Sequence, residues 1–369
     1  MCCQVEQQMK TKRIGYIDAM RGFTMILVVY SHICSLCLGD MWMGWNDVFF
    51  LFRLPCFFFI SGWLFENAAP HSDHGSENIG RQWNSDTIWQ MVKHKFMVQI
   101  VPTVIFLLIL APPPLFFSCL GATKGGYWFT FLLFIFFVLH IFLSWMTKKM
   151  SAKNQKVVML LIAILILVAS CFYEANYLRY YSQMGWGTNL MGFLSFRVWR
   201  FYIFFYLGTL VKRHFDVFIL WTNKLWLMAL IVIGFVVLAL QPHSDDAITQ
   251  YFIFSIGGIL GMTMVFTFFR HLYTSPLLSP YSSIFHHPSS ILKFVGTRTL
   301  DIYLLHYFFL PRFLLSYTDQ LQAYDSKLIE LLVAMSLALV VVAICLLVSY
   351  IIRLSPFLGH YLFGVKYSN

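Results

Sequence analysis

A histidine and an arginine share one face of the first apolar segment of this chain, "RGFTMILVVYSHICSLCL" (residues 21–38). Arg21 and His32 are eleven residues apart, which on an α-helix is three turns plus about 20°, or about 16 Å along the axis. Asp18 lies nearly on the same stripe, one turn before Arg21, where it can form an ion pair with it. Charged and titratable groups are costly inside a membrane helix, so we interpret this pair as functional.

Three later segments add polar side chains to apolar surroundings. "FRLPCFFFISGWLF" (residues 52–65) carries Arg53 about 9 Å from the predicted outer end of its helix, and "GGYWFTFLL" (residues 125–133) carries Trp128. In "GTRTLDIYLLHYFF" (residues 296–309), Tyr303 and His306 share a helix face, and Arg298 precedes them near the start of the segment. A structural interpretation is also open: a histidine can be an interhelical hydrogen bonder, Arg53 can extend to the interface, and Trp128 can anchor a helix end.

The residue types favour proton transfer beside a stabilised anion. Desolvation disfavours the imidazolium form, so a buried histidine such as His32 stays neutral and can accept a proton from a hydroxyl. A guanidinium or ammonium group nearby can stabilise a developing oxyanion or bind an anionic ligand. The sequence therefore predicts a basic site that is reached from the cytoplasmic end of the first helix.

The composition indicates an integral membrane protein. Of the 369 residues, 59% are hydrophobic and only 11% are charged, with a mean hydropathy of +0.71, whereas soluble domains carry about 25% charged residues. Apolar segments recur along the whole chain, so we predict a single domain over residues 1–369. The net charge of +10 lies mainly in short loops, which favours a role in membrane topology over nucleic-acid binding.

We predict an all-α transmembrane bundle of about ten helices, because a bilayer core of about 30 Å needs roughly twenty apolar residues for each span. Most of the 26 lysines and arginines then fall on one side, which places both termini in the cytoplasm. Cytoplasmic segments are predicted at residues 1–15, 67–90 and 354–369. The predicted helices are 16–38, 47–66, 91–111, 127–146, 156–173, 197–211, 225–240, 248–269, 298–316 and 328–352.

These motifs resemble the acyltransferase-3 family of integral membrane acyltransferases, in particular its fucose 4-O-acetylase-like branch. "YIDAMRGFTMILVVYSH" is similar to the family's Asp-xx-Arg-Gly opening, and "FRLPCFFFISGWLF" to its phenylalanine-rich second-helix motif. "YWFTFLL" resembles its Trp-Phe motif, and "LDIYLLHYFF" its late Tyr-Leu-x-His segment. One departure is "KHKFMVQIVP", which has Val98 where relatives carry the second of two arginines.

The resemblance implies transfer of an acyl group, commonly acetyl from acetyl-CoA, onto a hydroxyl of a cell-envelope glycan or lipid-linked sugar. It implies His32 as the base or as a transient acyl carrier. We expect no resident metal and no permanently bound cofactor, and a location in the cytoplasmic membrane of a bacterium. The site residues that we predict are His32, Arg21, Asp18 and Arg53 for catalysis, Lys93, Lys95 and Arg298 for the donor, and Trp128, Tyr303 and His306 for the substrate.

Two other functions fit the same pattern of charged residues on membrane helices. A transporter or flippase for a glycan or lipid would also place such residues on facing helices. A non-catalytic subunit of a glycan-assembly complex could retain the motifs without the activity. Covalent labelling of a glycan by the isolated protein separates the enzyme from both.

Overall fold

The protein is built from helices. A computed structural model describes residues 14–39, 44–68, 85–110, 126–180, 196–241, 246–274, 282–318 and 326–365. Within those ranges there is no strand, which confirms the all-α prediction. The α-helices are α1 (Gly15–Cys37), α2 (Gly44–Ala68), α3 (Ser85–Lys95), α4 (Val101–Leu110), α5 (Trp128–Met146), α6 (Ala152–Tyr180), α7 (Tyr202–Arg213), α8 (Phe215–Thr222), α9 (Leu225–Ala239), α10 (Ala247–Thr274), α11 (Ser282–Thr297), α12 (Thr299–Phe309), α13 (Lys327–Arg353) and α14 (Pro356–Phe363).

Three segments of the described chain are helical but not α-helical: one is a π-helical turn, wider than an α-helix, and two are 3₁₀ helices, which are tighter. A π-helical turn, Phe96–Ile100, joins α3 to α4, so that Ile88–Leu110 forms one long apolar helix. Turns of 3₁₀ helix occupy Phe196–Phe201, before α7, and Arg312–Tyr317, after α12. Most of the predicted cytoplasmic loop 67–90 and of the N-terminal segment 1–15 lies outside the described residues.

Seven helices in the described part of the chain are long and apolar enough to cross a membrane. The pair α8 and α9, bent by 82° at its break, makes an eighth if the two count as one span. The protein is therefore a polytopic membrane bundle, as predicted, but the described residues contain seven or eight candidate spans and not the ten predicted. The predicted segments 197–211 and 298–316 are also helical, but each is divided between an α-helix and a 3₁₀ turn.

Burial and proline explain why these two segments contain short helices. Most of α7 is enclosed by other helices, and a buried helix of 10–14 residues is typical of a protein core. Helix α12 ends at Phe309 because Leu310 precedes Pro311, and the residue before a proline is forced towards extended conformations. Leu310 has a ψ of 126°, in agreement with this restriction.

Helices α1 and α2 form the centre of the bundle. In their apolar spans, 72% and 67% of residues are buried inside the protein, compared with 17% for α6. Four glycines bring backbones together here: Gly22 and Gly296 join α1 to α11, and Gly62 and Gly208 join α2 to α7. A Cβ at any of the four would meet a backbone carbonyl oxygen of the partner helix. Small residues permit such close approach in membrane bundles, as predicted for Gly62.

Substituting Gly62 with alanine should destabilise the bundle. The new methyl group would overlap the Phe205 carbonyl oxygen, which is backbone and cannot rotate away. Overpacking of this kind costs about 1–3 kcal/mol, so we expect a lower unfolding temperature in detergent. Gly257→Ala is the matched control, because its Cβ would only make ordinary contact with the Leu51 side chain at 3.4 Å. Equal unfolding temperatures for the two variants would contradict the packing described here.

The C-terminal segment folds back onto the bundle. The sequence predicts residues 354–369 as a tail, but Pro356–Phe363 is a helix, α14. The Phe363 ring stacks on Phe106 of α4 at 6.1 Å between centroids, and the Arg353 guanidinium lies 5.3 Å from the same ring. Gly364 ends α14 with a φ of +62° and lies against the backbone of Val98. The segment thus supports the π-helical turn from outside.

Candidate active site

An elongated cavity joins six of the ten residues that the sequence predicts for the site. It has a volume of about 370 Å³ and is enclosed by α1, α2, the α3–α4 helix, α5 and α12. Its wall on α1 runs from Arg21 to His32, about 16 Å, and on α2 from Phe50 to Leu64, about 21 Å. The size is typical of small-molecule sites. The predicted site residues in its lining are Arg21, His32, Arg53, Lys95, Trp128 and Tyr303.

One end of the cavity is cationic. The Arg21 guanidinium donates to the Thr299 hydroxyl at 2.7 Å and lies 3.8 Å from the carboxylate of Asp18, which is the predicted ion pair. Lys95 has its ammonium 4.2 Å from the centre of the Phe137 ring and forms no ion pair with a described residue. Among the described residues, the lining contains no aspartate or glutamate, so this end is suited to an anionic ligand.

The other end of the cavity holds His32. Its Nε2 atom lies 3.2 Å from the hydroxyl oxygen of Tyr307, and Nδ1 has no hydrogen-bond partner among the described residues. The ring of His306 lies behind it, with 5.1 Å between the two centroids. His306 is fully buried and does not line the cavity; its Nδ1 bonds to the Ile302 carbonyl at 3.1 Å. The imidazole of His32 therefore faces the cavity with one nitrogen engaged.

Arg53 contributes a second buried cation to the wall. Only 7% of the residue is exposed, and its Nη1 donates to the Asn46 side-chain oxygen at 2.8 Å and to the Asn46 carbonyl at 3.2 Å. Its Nε and Nη2 atoms bond to no residue in the described part of the chain. The buried Arg53 guanidinium thus has a hydrogen-bond partner in Asn46, about two turns earlier on the same helix. Its other N–H groups remain available as donors to a ligand in the cavity.

Trp128 and Tyr303 line the cavity next to Gly126. The Tyr303 hydroxyl donates to the Gly126 carbonyl at 3.0 Å and accepts from the Phe129 amide at 3.3 Å. Trp128 stacks on Phe201 with 5.9 Å between centroids. These bonds tie α12 to the start of α5 and place both predicted substrate-binding residues on the cavity wall.

The π-helical turn positions Gln99 in the cavity. Pro102 has no amide hydrogen and its ring would clash with the carbonyl four residues earlier, so a wider turn at this point relieves the helix. Gln99 donates to the Thr130 carbonyl at 3.1 Å and is buried. Lys95 precedes this turn and Val98 lies within it, and both line the cavity.

Two predicted donor-binding residues lie away from the cavity wall. Lys93 is exposed on α3, and Arg298 begins α12 with its guanidinium 3.7 Å from Asp301. Asp301 also receives two hydrogen bonds from Arg353, each of 2.8 Å, and one from Ser349. Lys95 is therefore the lysine of this segment that a ligand in the cavity would meet, and the roles predicted for Lys93, Arg298 and His306 stay predictions.

Several residues of the site were not predicted from the sequence. Tyr307 forms hydrogen bonds with His32 and with the Gly126 carbonyl. The Asn46 side chain accepts a hydrogen bond from Arg53. Gln99 had a signal, because it is a lone amide in the apolar run "FMVQIVPTVIF". For the others the signal is only adjacency: Tyr307 follows His306, and Gly126 ends a glycine pair.

The arrangement suits a long ligand with an anionic head and a reactive carbonyl. The cationic end and the imidazole are about 16 Å apart along α1, and the wall between them is mostly apolar, with Met25, Val28 and Phe57. An imidazole with a nitrogen that has no hydrogen-bond partner among the described residues, next to a guanidinium, can remove a hydroxyl proton and stabilise an oxyanion.

Comparison with known proteins gives one match. A family model described as an acyltransferase domain, acyltransferase-3, matches residues 14–353, a range that includes every predicted site residue. No curated protein and no solved structure matches this chain.

Proposed function

Since this chain belongs to the acyltransferase-3 family, we propose that it is a membrane O-acyltransferase that moves acetyl from acetyl-CoA to a hydroxyl of a cell-envelope glycan or lipid-linked sugar. The observation that carries the proposal is the cavity in which His32 and Arg53 lie at one end and Arg21 and Lys95 at the other. The fucose 4-O-acetylase-like branch suggests the acceptor class, and the bacterial cytoplasmic membrane is the location that we propose.

The donor binds along the length of the cavity. Its phosphates interact with Arg21 and Lys95, and its pantetheine arm follows the apolar wall towards His32. No acidic residue in the described part of the chain lines the cavity to oppose the phosphates. Val98 stands where relatives carry the second arginine of this segment. Phosphate binding here therefore depends on Lys95, which is the basic residue nearest to Val98 in the sequence.

The acyl transfer requires one proton to move from the acceptor hydroxyl to His32 and then from His32 to the leaving thiolate. His32 takes the proton of the acceptor hydroxyl as the oxygen attacks the thioester carbonyl, and the new C–O bond forms. The oxyanion of the tetrahedral intermediate is stabilised by the remaining donors of Arg53. The C–S bond then breaks, the thiolate leaves, and the proton on His32 passes to the sulfur. The products are the acyl ester and coenzyme A, with His32 neutral again.

The proposal is tested with the purified full chain reconstituted in lipid vesicles, radiolabelled acetyl-CoA and an envelope fraction. We expect covalent label on a glycan or lipid-linked sugar, and mass spectrometry of the product then identifies the acyl group. Label that crosses a vesicle membrane without covalent attachment would overturn the proposal in favour of transport. If the purified protein gives no label, but label appears when a partner subunit is added to an inactive variant of the chain, the chain is a non-catalytic subunit. That result would also overturn the proposal.

A further inference from the structure

The Tyr307 hydroxyl lies between two polar atoms to which it could donate. It is 3.2 Å from His32 Nε2 and 3.2 Å from the carbonyl oxygen of Gly126. A tyrosine hydroxyl has one proton, so it can donate to only one of them. The Gly126 carbonyl also accepts from Tyr303 at 3.0 Å, and a carbonyl oxygen has two lone pairs, which is enough for both hydroxyls.

The direction of the Tyr307 bond decides which nitrogen of His32 is basic. If Tyr307 donates to Nε2, the imidazole carries its hydrogen on Nδ1. Nδ1, which has no hydrogen-bond partner among the described residues, is then a donor and cannot accept a proton. If Tyr307 donates to Gly126, it accepts from Nε2–H, and the lone pair is on Nδ1. Only the second arrangement also fits the imidazolium that forms during transfer, because a protonated Nε2 must donate.

We propose that Tyr307 is a positioning residue, which donates to the Gly126 carbonyl, accepts from His32 Nε2–H and thereby presents Nδ1 as the base. This inference rests on the proposed function and names the groups that control its base. When Nδ1 takes up a proton, the positive charge strengthens the chain from Nε2–H through the Tyr307 hydroxyl to the Gly126 carbonyl, since charge-assisted hydrogen bonds are the strong ones.

The surroundings hold Tyr307 in this position. Its ring packs on His306 with 4.1 Å between centroids and meets Tyr127 edge-on at 5.4 Å. Gly126 has a φ of +95°, which favours glycine, and a Cβ there would overlap the Tyr307 ring and hydroxyl. A carbonyl can therefore approach Tyr307 this closely only at a glycine.

Few other groups act on His32. The titratable and charged residues that face it are His306 and Tyr307 of α12 and Arg53 of α2. Arg53 is held by Asn46, and His306 is held by the Ile302 carbonyl through Nδ1. Tyr307 is thus the group bonded directly to the imidazole among the described residues.

The first test is Tyr307→Phe, which keeps the ring and removes the hydroxyl. We expect kcat to fall about 10- to 100-fold, as when the partner that orients a catalytic histidine is lost, with KM for acetyl-CoA unchanged. Tyr127→Phe is the matched control, because it also removes a buried hydroxyl that donates to a carbonyl, that of Leu304 at 2.7 Å. A Tyr307→Phe enzyme with the kcat of Tyr127→Phe would overturn the proposal.

The second test reads the tautomer without turnover. In protein labelled with ¹⁵N-histidine, the His32 signals are assigned as those lost in His32→Gln. We expect an unprotonated Nδ1 and a protonated Nε2 in the wild type, and a mixture of tautomers in Tyr307→Phe. An unprotonated Nε2 in the wild type would overturn the proposal. Because this measurement needs no substrate, it separates failure of the Tyr307 assignment from failure of the acyltransferase activity.

Discussion

The His32→Ala variant is expected to lose acyl transfer by about 10²- to 10⁴-fold, the usual contribution of a general base. The imidazole is the proton-accepting side chain that this cavity presents beside Arg53. The loss should appear in kcat, measured with radiolabelled acetyl-CoA, because the proposed site of the donor phosphates is at the far end of the cavity. KM for the donor should change little.

A control must show that the His32 variant is folded. His271→Gln is suitable, because His271 is exposed on α10 and does not line the cavity. It should retain wild-type kcat, and both variants should elute as intact protein in detergent. A folded His32→Ala protein with full activity would reject His32 both as base and as acyl carrier.

The second large effect is expected at the cationic end. Lys95→Gln should raise KM for acetyl-CoA about 10- to 100-fold, since a hydrogen bond to a charged group contributes about 1.5–3 kcal/mol. Lys95 has no acidic partner among the described residues, so its loss leaves no carboxylate unpaired. Arg21→Gln should act in the same direction. In both variants kcat at saturating donor should stay near the wild-type value.

Lys153→Gln removes the same charge at an exposed position outside the cavity, and serves as the control. The account also predicts a smaller effect for Lys93→Gln than for Lys95→Gln, because Lys93 is exposed and absent from the lining. An unchanged KM in both Lys95→Gln and Arg21→Gln would contradict donor binding at this end.

Helical periodicity was enough to predict the central geometry of the site. The spacing of Arg21 and His32 puts them on one face, and both line the same cavity in the folded protein. Hydropathy located the spans that face lipid, and the small pair Ser61-Gly62 predicted a close helix contact, which Phe205 provides. These features depend on residues close in sequence, or on the period of one helix.

The features that the sequence could not predict depend on contacts between distant segments. Tyr307 meets His32 and Gly126 only because α12 packs between α1 and the start of α5. Asp301 forms an ion pair with Arg298, three residues before it, at 3.7 Å, but Arg353 also binds it in two hydrogen bonds across 52 positions. The pattern of a single helix cannot show that a distant arginine also binds a buried carboxylate.

The shortened helices have a similar cause. Hydropathy treated residues 197–211 and 298–316 as spans, because it measures the apolar character of a segment and not what surrounds it. In the structure α7 and α12 are largely buried by other helices, so they do not need the length that a lipid-facing helix needs, whereas the 3₁₀ turn Arg312–Tyr317 contains no buried residue. The proline at position 311 was a signal for the end of α12.

The central claim is that one cavity holds the acyl donor with its thioester at His32 and its phosphates at Arg21 and Lys95. The most direct measurement is an experimental structure of the full chain in nanodiscs with a non-hydrolysable thioether analogue of acetyl-CoA. We expect the analogue's carbonyl carbon within reach of the His32 ring and its phosphates against the Arg21 and Lys95 side chains. An analogue bound outside this cavity, or bound with its phosphates at the His32 end, would contradict this binding mode.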